Sequence, residues 1–379
     1  MPGLCAATGL RVVKFGGTSV ANGLPEVVRR IEDSRALGPT VAVVSAFAGL
    51  TDQLTEIANG ERLDLETLIS ELARRCGDAG SPHLLDLRRL ADRAAREGGL
   101  SGAARHTLLA VGERLSAEAV VRNLRRSGVA AQAVDGTEVL VACGRTGAID
   151  ADASALRTRD RLGRAGAALP IVTGFIAASD GTGHAVTLGR GASDLSATLL
   201  ASFLDAEGVE IWTDTDGIWS ADPNRLEHAR PIRQLSYGEA ETMARWGAKV
   251  LHPDTAEPVV SRGIPVHVRS TFDLDAPGSR IDARTADECR SHPVRAVARL
   301  SSAPGDHLVW IAGIGANAET FSPELPDGTV VSRLVERPEG DRPRVEAVLV
   351  MRDQADEVES IFHRDLVERP VEDLLRRTA

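Results

Sequence analysis

Two lysines are the first candidates for chemistry in this sequence. The chain has 379 residues and 44 Lys and Arg residues, of which only Lys14 and Lys249 are lysine. Arginine serves as well as lysine for a surface cation, whereas a compact, flexible ammonium suits a phosphate that is held by a point charge. The two lysines therefore favour phosphate binding by a point charge, or else are lysine by chance.

The first lysine lies in a glycine-rich loop that follows a predicted strand. The sequence there is Lys14-Phe15-Gly16-Gly17-Thr18-Ser19, in which two glycines without side chains let backbone amides turn toward an anion. The loop is not a Walker A loop, because its lysine precedes the glycines. By itself the pattern fits either a phosphate cradle or an ordinary glycine turn.

Further along the chain, a second anion-binding pattern opens a predicted helix. Residues 188–194 bring Arg190, two glycines, Ser193 and Asp194 to the helix start. The positive end of a helix favours anions, although a well-capped helix without a ligand has the same pattern.

Two more clusters complete the candidates. Residues 212–225 follow a predicted strand, and their tryptophans and aspartates fit a nucleotide and its metal, or else a solvated acidic loop. Residues 247–253 carry Lys249 just beyond Gly247, a glycine that ends a predicted helix.

The elements that must position these residues alternate between strands and helices over the first 270 residues or so, which is typical of an α/β fold with a mainly parallel sheet. The predicted strands are residues 11–15, 40–46, 129–134, 169–173, 209–213 and 264–269. The predicted helices are residues 25–37, 63–98, 106–126, 193–206 and 237–246. From residue 293 a smaller α+β module is predicted, with strands 307–311, 330–336 and 345–351 and a helix 354–366.

Composition argues against several classes of function. The net charge is −10, and long-range repulsion disfavours a general binder of nucleic acid or anionic membranes. The apolar runs are far too short for a membrane span, and four cysteines without a C-x-x-C pair predict neither a disulfide framework nor a zinc knuckle. We expect a cytoplasmic protein and predict no metal ligands.

Taken together, the clusters resemble the aspartate kinase family of amino acid kinases. The resemblance spans roughly residues 11–281 and is carried by the stretches 14–20, 44–51, 112–116, 174–176, 189–194, 212–214 and 247–253. It implies an amino acid kinase-like αβα sandwich with a mainly parallel sheet over residues 1–285. It also implies an ACT-like regulatory or dimerisation module over residues 293–379, which is too short for the usual pair of ACT units.

The resemblance implies ATP-dependent phosphorylation of the side-chain carboxylate of L-aspartate, with Mg²⁺ as the counter-charge. Lys14 and Lys249 would bracket the transferred group, and Asp194 would hold the lysines. Arg190 would pair with the substrate α-carboxylate and Glu113 with its α-ammonium. The other implied substrate-binding residues are Ser45, Thr51, Phe175 and Ser193. The implied ATP-binding residues are Lys14, Gly16, Gly17, Thr18, Thr213, Asp214, Trp219, Arg225 and Lys249.

Some residues depart from the family pattern. Ala177 and Ala192 stand where the family commonly has glycine, Trp219 replaces the usual tyrosine, and Arg225 is shifted by one place. Two alternatives therefore stay open: a kinase for a related or modified acidic amino acid, and a catalytically inactive ACT-bearing sensor.

We also expect a homodimer with weak or no inhibition by lysine and threonine, because residues 315–323 allow only a short ACT helix.

Overall fold

The structure is a computed structural model that divides into two compact units. Unit 1 comprises Met1–Thr215 and Arg269–Asp275, and unit 2 comprises Asp216–Val268 and Ala276–Ala379. The residues that the structure describes are 9–143, 146–164, 166–189, 191–248, 255–284, 295–301, 307–315, 325–326, 328–337, 339–340 and 342–368. The predicted division between residues 285 and 293 falls outside these ranges and stays a prediction.

Unit 1 alternates strands and helices, as the sequence predicts. Its strands are β1 (Arg11–Phe15), β2 (Thr40–Val44), β3 (Ala131–Val134), β4 (Val141–Ala142), β5 (Leu169–Thr173), β6 (Ile176–Ser179), β7 (Ala185–Thr187) and β8 (Gly208–Thr213). Its helices are α1 (Gly17–Asn22), α2 (Leu24–Leu37), α3 (Leu50–Ala58), α4 (Leu65–Cys76), α5 (Pro82–Glu97), α6 (Gly102–Arg126), α7 (Ala151–Gly163) and α8 (Ala192–Phe203).

Five strands of unit 1 form a parallel sheet in the order β8-β1-β2-β5-β3. Every residue of β2 and β5 is buried, which is the pattern of strands covered on both faces. Because the strands are parallel, the segments that follow β1, β2, β5 and β8 leave the same edge of the sheet. Ligands of open α/β sheets bind at that edge.

One predicted helical stretch is corrected. Residues 63–98 form two helices, α4 and α5, rather than one. Gly77 ends α4 in the left-handed region with φ of 70°, and α5 begins at Pro82 behind Ser81, whose side chain accepts a hydrogen bond from the His83 N–H. A C-terminal glycine followed by a capping serine and a proline at the first helical position is a strong local break.

Helix α6 is the longest helix of unit 1 among the described residues and lies in its core. It has 25 residues, and the stretch from Leu108 to Ala117 is buried except at Arg114. Helices α3, α4 and α5 contribute Leu54, Leu68 and Leu87 to the same core cluster. Glu113, near the middle of α6, is therefore buried away from solvent.

A small second sheet in unit 1 has the order β4-β6-β7. Strands β6 and β7 are antiparallel, with Ile176 opposite Thr187. This hairpin joins Phe175, which precedes β6, to Leu188 and Gly189, which follow β7. The sequence did not predict it, because its strands are only four and three residues long.

In the described part of unit 2, short strands and two helices precede the C-terminal module. Its first elements are β9 (Ile218–Trp219), β10 (Pro231–Ile232), β11 (Gln234–Ser236), α9 (Tyr237–Arg245), α10 (Glu257–Val260), β12 (Val266–Ser270) and β13 (Ser279–Asp282). The last two residues of β12 belong to unit 1. Strand β13 pairs with β11 in parallel and with β12 antiparallel.

Within the described residues, the C-terminal module has four antiparallel strands and one helix. The strands are β14 (Ala296–Leu300), β15 (Leu308–Ile314), β16 (Val330–Glu336) and β17 (Val345–Met351), in the order β14-β15-β17-β16. Strand β14 was not predicted. The predicted helix 354–366 is α11 (Ala355–His363), followed by a π-type turn over Arg364–Glu368. The short ACT helix expected within residues 315–323 lies almost wholly outside the described residues.

Candidate active site

A buried ion pair joins β1 to the first turn of α8. Lys14 Nζ lies 2.6 Å from Asp194 Oδ1, and the two side chains are only 10% and 14% exposed. Water screens such a pair weakly, and the positive end of α8 further favours the carboxylate. The structure therefore brings together two of the three predicted catalytic residues and holds the ammonium in a defined position.

The glycine loop after β1 packs closely against the segment that follows β2. A Cβ atom on Gly17 would lie 2.5 Å from the Ala46 carbonyl oxygen, so a larger residue does not fit there. Gly17 and Thr18 begin α1, whereas the Gly16 N–H donates to the Trp212 carbonyl oxygen at 3.0 Å. Of the two predicted amides, that of Gly16 is thus engaged by β8.

Glu113 is the buried glutamate of α6. Its residue is 3% exposed, and its Oε1 accepts a hydrogen bond of 3.2 Å from the Ala46 N–H. Its other oxygen, Oε2, is buried with no hydrogen-bond partner among the described residues. Loss of hydration raises the pKa of the Glu113 carboxyl to about 8. A carboxyl in this state favours a cationic ligand that restores the missing interaction.

The turn after β5 lies against the start of α8. A Cβ atom on Gly174 would be 2.7 Å from Ser193 Cβ, so only glycine permits this approach. The Gly174 N–H donates to the Val44 carbonyl oxygen, which ties the turn to β2. Phe175 follows with a positive φ of 68° and is 8% exposed. The predicted wall residues Phe175 and Ser193 therefore lie in neighbouring segments.

Ser45 and Thr51 are the remaining predicted substrate residues of unit 1 that the structure describes. Ser45 follows β2, and its N–H donates to the Phe15 carbonyl oxygen at 3.2 Å. Thr51 lies in the first turn of α3 and is half-buried. The backbone thus brings Ser45 beside the glycine loop, and the role of Thr51 stays a prediction.

On the far side of β1, the end of β8 carries Thr213 and Asp214. The Thr213 hydroxyl donates to Asp214 Oδ1 at 3.0 Å, and the Asp214 residue is exposed. The Thr213 carbonyl oxygen accepts from the Thr271 N–H. These two predicted ATP residues are adjacent, and the Asp214 carboxylate faces solvent.

Two other predicted ATP residues, Trp219 and Arg225, belong to unit 2. The Trp219 indole N–H donates to Asp216 Oδ1 at 2.7 Å. Arg225 Nη2 lies 2.8 Å from Asp356 Oδ1 and 3.5 Å from Glu359 Oε2, both on α11. The Arg225 guanidinium therefore has carboxylate partners in the C-terminal module, which the sequence did not predict.

Two predicted residues, Arg190 and Lys249, lie outside the described residues, and their roles stay predictions. Among the residues that are described, no three or more His, Cys, Asp or Glu side chains are grouped for a metal ion. In the same part of the chain, no helix combines the length and apolar character that a bilayer span requires.

Sequence reasoning missed two groups at this site. One is the Ala46 N–H, a backbone donor that no side-chain pattern indicates. The other is Ser196, whose buried hydroxyl accepts from the Phe175 N–H at 3.1 Å. The only signal in the sequence was its place as the fifth residue of α8, a helix that begins with candidate binding residues.

A comparison with models of protein families supports the resemblance inferred from the motifs. The model of the amino acid kinase family matches residues 9–270, which is more than half of the 379-residue chain. The chain belongs to the amino acid kinase family. The matched range contains every predicted site residue of this amino acid kinase.

Individual relatives point to one branch of the family. The chain is 36% identical over 300 residues to lysine-sensitive aspartokinase 3 of Escherichia coli, covering 72% of this chain and 64% of the relative. It is 30% identical over 297 residues to the aspartokinase of Chlamydia muridarum, covering 76% of this chain and 66% of the relative. The matches thus span slightly less than two thirds of each relative's length.

A solved structure agrees with these sequences. Aspartokinase III of Escherichia coli in complex with aspartate and ADP, in the R-state, matches with a TM-score of 0.79 and 26% identity. The match covers 94% of this chain and 99% of that one. The predicted resemblance to aspartate kinases and the predicted α/β fold class are confirmed.

Proposed function

We propose that this chain transfers the γ-phosphoryl group of ATP to the side-chain carboxylate of L-aspartate, giving 4-aspartyl phosphate. The observation that carries the proposal is Glu113, a buried carboxyl beside the Lys14 loop with one oxygen that has no hydrogen-bond partner in the described part of the chain. An amino acid brings an ammonium group that a simple dicarboxylic acid lacks. Glu113 therefore favours an amino acid as the acceptor.

The reaction is an in-line displacement at phosphorus. A side-chain oxygen of aspartate forms a new P–O bond as the bond to the ADP oxygen breaks, and ADP leaves with its electron pair. Positioning and charge neutralisation supply most of the catalysis. Lys14, held by Asp194, neutralises charge on the transferred group, and we assign the same role to Lys249.

The remaining residues divide between the two substrates. Arg190 pairs with the aspartate α-carboxylate through two parallel hydrogen bonds. The aspartate wall consists of Ser45, Thr51, Phe175 and Ser193. The nucleotide half contains Gly17, Thr18, Thr213 and Asp214 of unit 1, and the nucleotide role of Trp219 stays a prediction. We assign the phosphate to the amide of Gly17 rather than Gly16, and the nucleotide role of Arg225 stays a prediction.

Magnesium accompanies ATP in this proposal. Mg²⁺ keeps several waters and takes one or two carboxylates together with substrate phosphates, so it needs no dedicated protein cluster. The sequence predicts no metal ligand, whereas the exposed Asp214 carboxylate at the end of β8 fits that demand. When bound, the ion neutralises charge on the phosphates that the lysines also contact.

The test is an ADP-release assay across acidic amino acids, with hydroxylamine to trap any acyl phosphate as a hydroxamate. We expect hydroxamate from L-aspartate and little from L-glutamate or succinate. The Lys14→Ala variant is the control that should lose the product. A hydroxamate from a different acidic amino acid would favour the related-substrate alternative, which the buried Ala177 and Ala192 motivate. No ADP release with any of the amino acids would favour the inactive sensor.

We also infer a cytoplasmic homodimer joined partly through the C-terminal module. Strand β16 is at one edge of its sheet, and Val331, Leu334 and Val335 are 56%, 42% and 49% exposed. Unpaired apolar edges favour pairing with another chain. Light scattering should give twice the chain mass, reduced by Leu334→Lys but not by Val260→Lys, which adds the same charge at an exposed position on α10. A monomeric mass for the parent protein would refute the dimer.

A further inference from the structure

Phe175 has an unusual backbone conformation for its residue type. Its φ is 68°, and among the described residues only Asp205 is another non-glycine with positive φ. A bulky L-residue is strained in the left-handed region, because its Cβ approaches the following carbonyl oxygen. Such strain persists only where surrounding contacts hold the residue in place.

The contact that holds the Phe175 amide comes from Ser196 in α8. Ser196 is fully buried, and its hydroxyl accepts from the Phe175 N–H at 3.1 Å while donating to the Ala192 carbonyl oxygen at 2.8 Å. The donated bond fixes the hydroxyl proton, so a lone pair is directed at Phe175. The Ser196 hydroxyl therefore connects α8 to the strained turn at Phe175.

Other hydrogen bonds in the turn also restrict the orientation of the Phe175 peptide groups. The Phe175 carbonyl oxygen accepts from the Leu188 N–H at 2.8 Å, and the Gly174 N–H donates to the Val44 carbonyl oxygen at 3.0 Å. Gly174 also lies against Ser193, with no room for a Cβ atom. Without Ser196, a buried N–H would lose its partner in a residue that is already strained.

We propose that Ser196 is a positioning residue that holds Phe175 in its left-handed conformation and thereby sets the aspartate-binding wall. The inference rests on the proposed function, in which Phe175 contacts aspartate. Ser196 itself touches neither substrate in this account. Its effect passes through the backbone of Phe175, so it should act on aspartate binding and not on ATP binding.

The test is a double-mutant cycle between Ser196→Ala and Phe175→Gly, measured by steady-state kinetics with each substrate varied. Ser196→Ala should raise the KM for aspartate about tenfold, the size expected for one lost buried hydrogen bond, and leave the KM for ATP within about twofold. Glycine adopts positive φ without strain. In the Phe175→Gly background, Ser196→Ala should therefore change the aspartate KM by less than about twofold.

Two further variants keep the result interpretable. Ser202→Ala removes another buried serine of α8 and should leave both KM values unchanged. Ser196→Cys keeps the side-chain volume but accepts hydrogen bonds weakly, so it should raise the aspartate KM even if Ser196→Ala does not fold.

An unchanged aspartate KM in a folded Ser196 variant would overturn the inference. So would an equal effect of Ser196→Ala with and without Phe175, because that result indicates a general effect on α8. If the parent protein forms no hydroxamate from aspartate, the proposed function fails first.

Discussion

Raising the pH from 7 to 8.5 is expected to increase kcat/KM for aspartate about eightfold, because it ionises Glu113. Burial raises the pKa of this carboxyl to about 8. At pH 7 roughly one molecule in ten then carries the carboxylate that the substrate ammonium needs, against about three quarters at pH 8.5. Since kcat/KM reports ionisations of the free enzyme, the ratio of these fractions is the expected rise.

Glu113→Gln keeps the size of the side chain and removes the ionisation. We expect its kcat/KM for aspartate to be flat over this pH range and at least about tenfold below the parent value at pH 8.5, since a buried charge-assisted hydrogen bond is lost. The assay is ADP release at saturating ATP with aspartate varied. Glu118→Gln is the matched control, because Glu118 lies on the same helix and bonds the Ser81 hydroxyl instead. It should keep the rise.

A flat profile in the parent protein, or the same rise in Glu113→Gln, would refute the reasoning.

Stability gives an independent check. The folded-state pKa of Glu113 lies above the ordinary value of 4.5, so folding takes up a proton between about pH 4.5 and pH 8. This carboxyl therefore makes the protein less stable as the pH rises through that window. The Tm measured without aspartate should fall more steeply with pH in the parent protein than in Glu113→Gln.

Three other predictions concern the phosphate, the substrate and regulation. Lys14→Arg and Lys249→Arg should each cost at least about 2 kcal/mol of transition-state stabilisation, or roughly 30-fold or more in kcat/KM, and near-normal turnover in both would show that charge alone suffices. Arg190→Lys should raise the KM for aspartate far more than that for ATP, because lysine lacks the paired donors; the opposite split would exchange the two halves of the site. Lysine and threonine, alone or together, should inhibit weakly or not at all, and strong inhibition at sub-millimolar concentration would show a complete effector pocket.

The agreement between sequence and structure is best where local rules decide the outcome. Strands β1, β5, β16 and β17 begin and end at the predicted residues, because compact β-branched runs are bounded by turn residues. The break at Gly77 between α4 and α5 was missed although its signals are local. The hairpin β6-β7 was missed for a different reason, since strands this short carry too little pattern to be recognised.

The sequence by itself determined the family and indicated phosphate chemistry. The features that carry this are two lysines among 44 basic residues, a glycine loop after a strand, and the family's motifs. These features depend on residue type and on contacts close in sequence. Only the tertiary structure decided which of those residues are buried, which form ion pairs and which have a shifted pKa. In the sequence, Glu113 resembles a charge on a helix surface. In the structure its part of α6 is buried, and burial raises the pKa of the carboxyl. Arg225, which the sequence predicts as a nucleotide ligand, lies beside Asp356 and Glu359 of α11, and no local pattern indicates those partners. Lys14 meets Asp194, and Ser196 meets Phe175, because parallel strands bring distant segments to one edge of the sheet. Desolvation and long-range pairing depend on which segments meet, and local sequence patterns do not encode that.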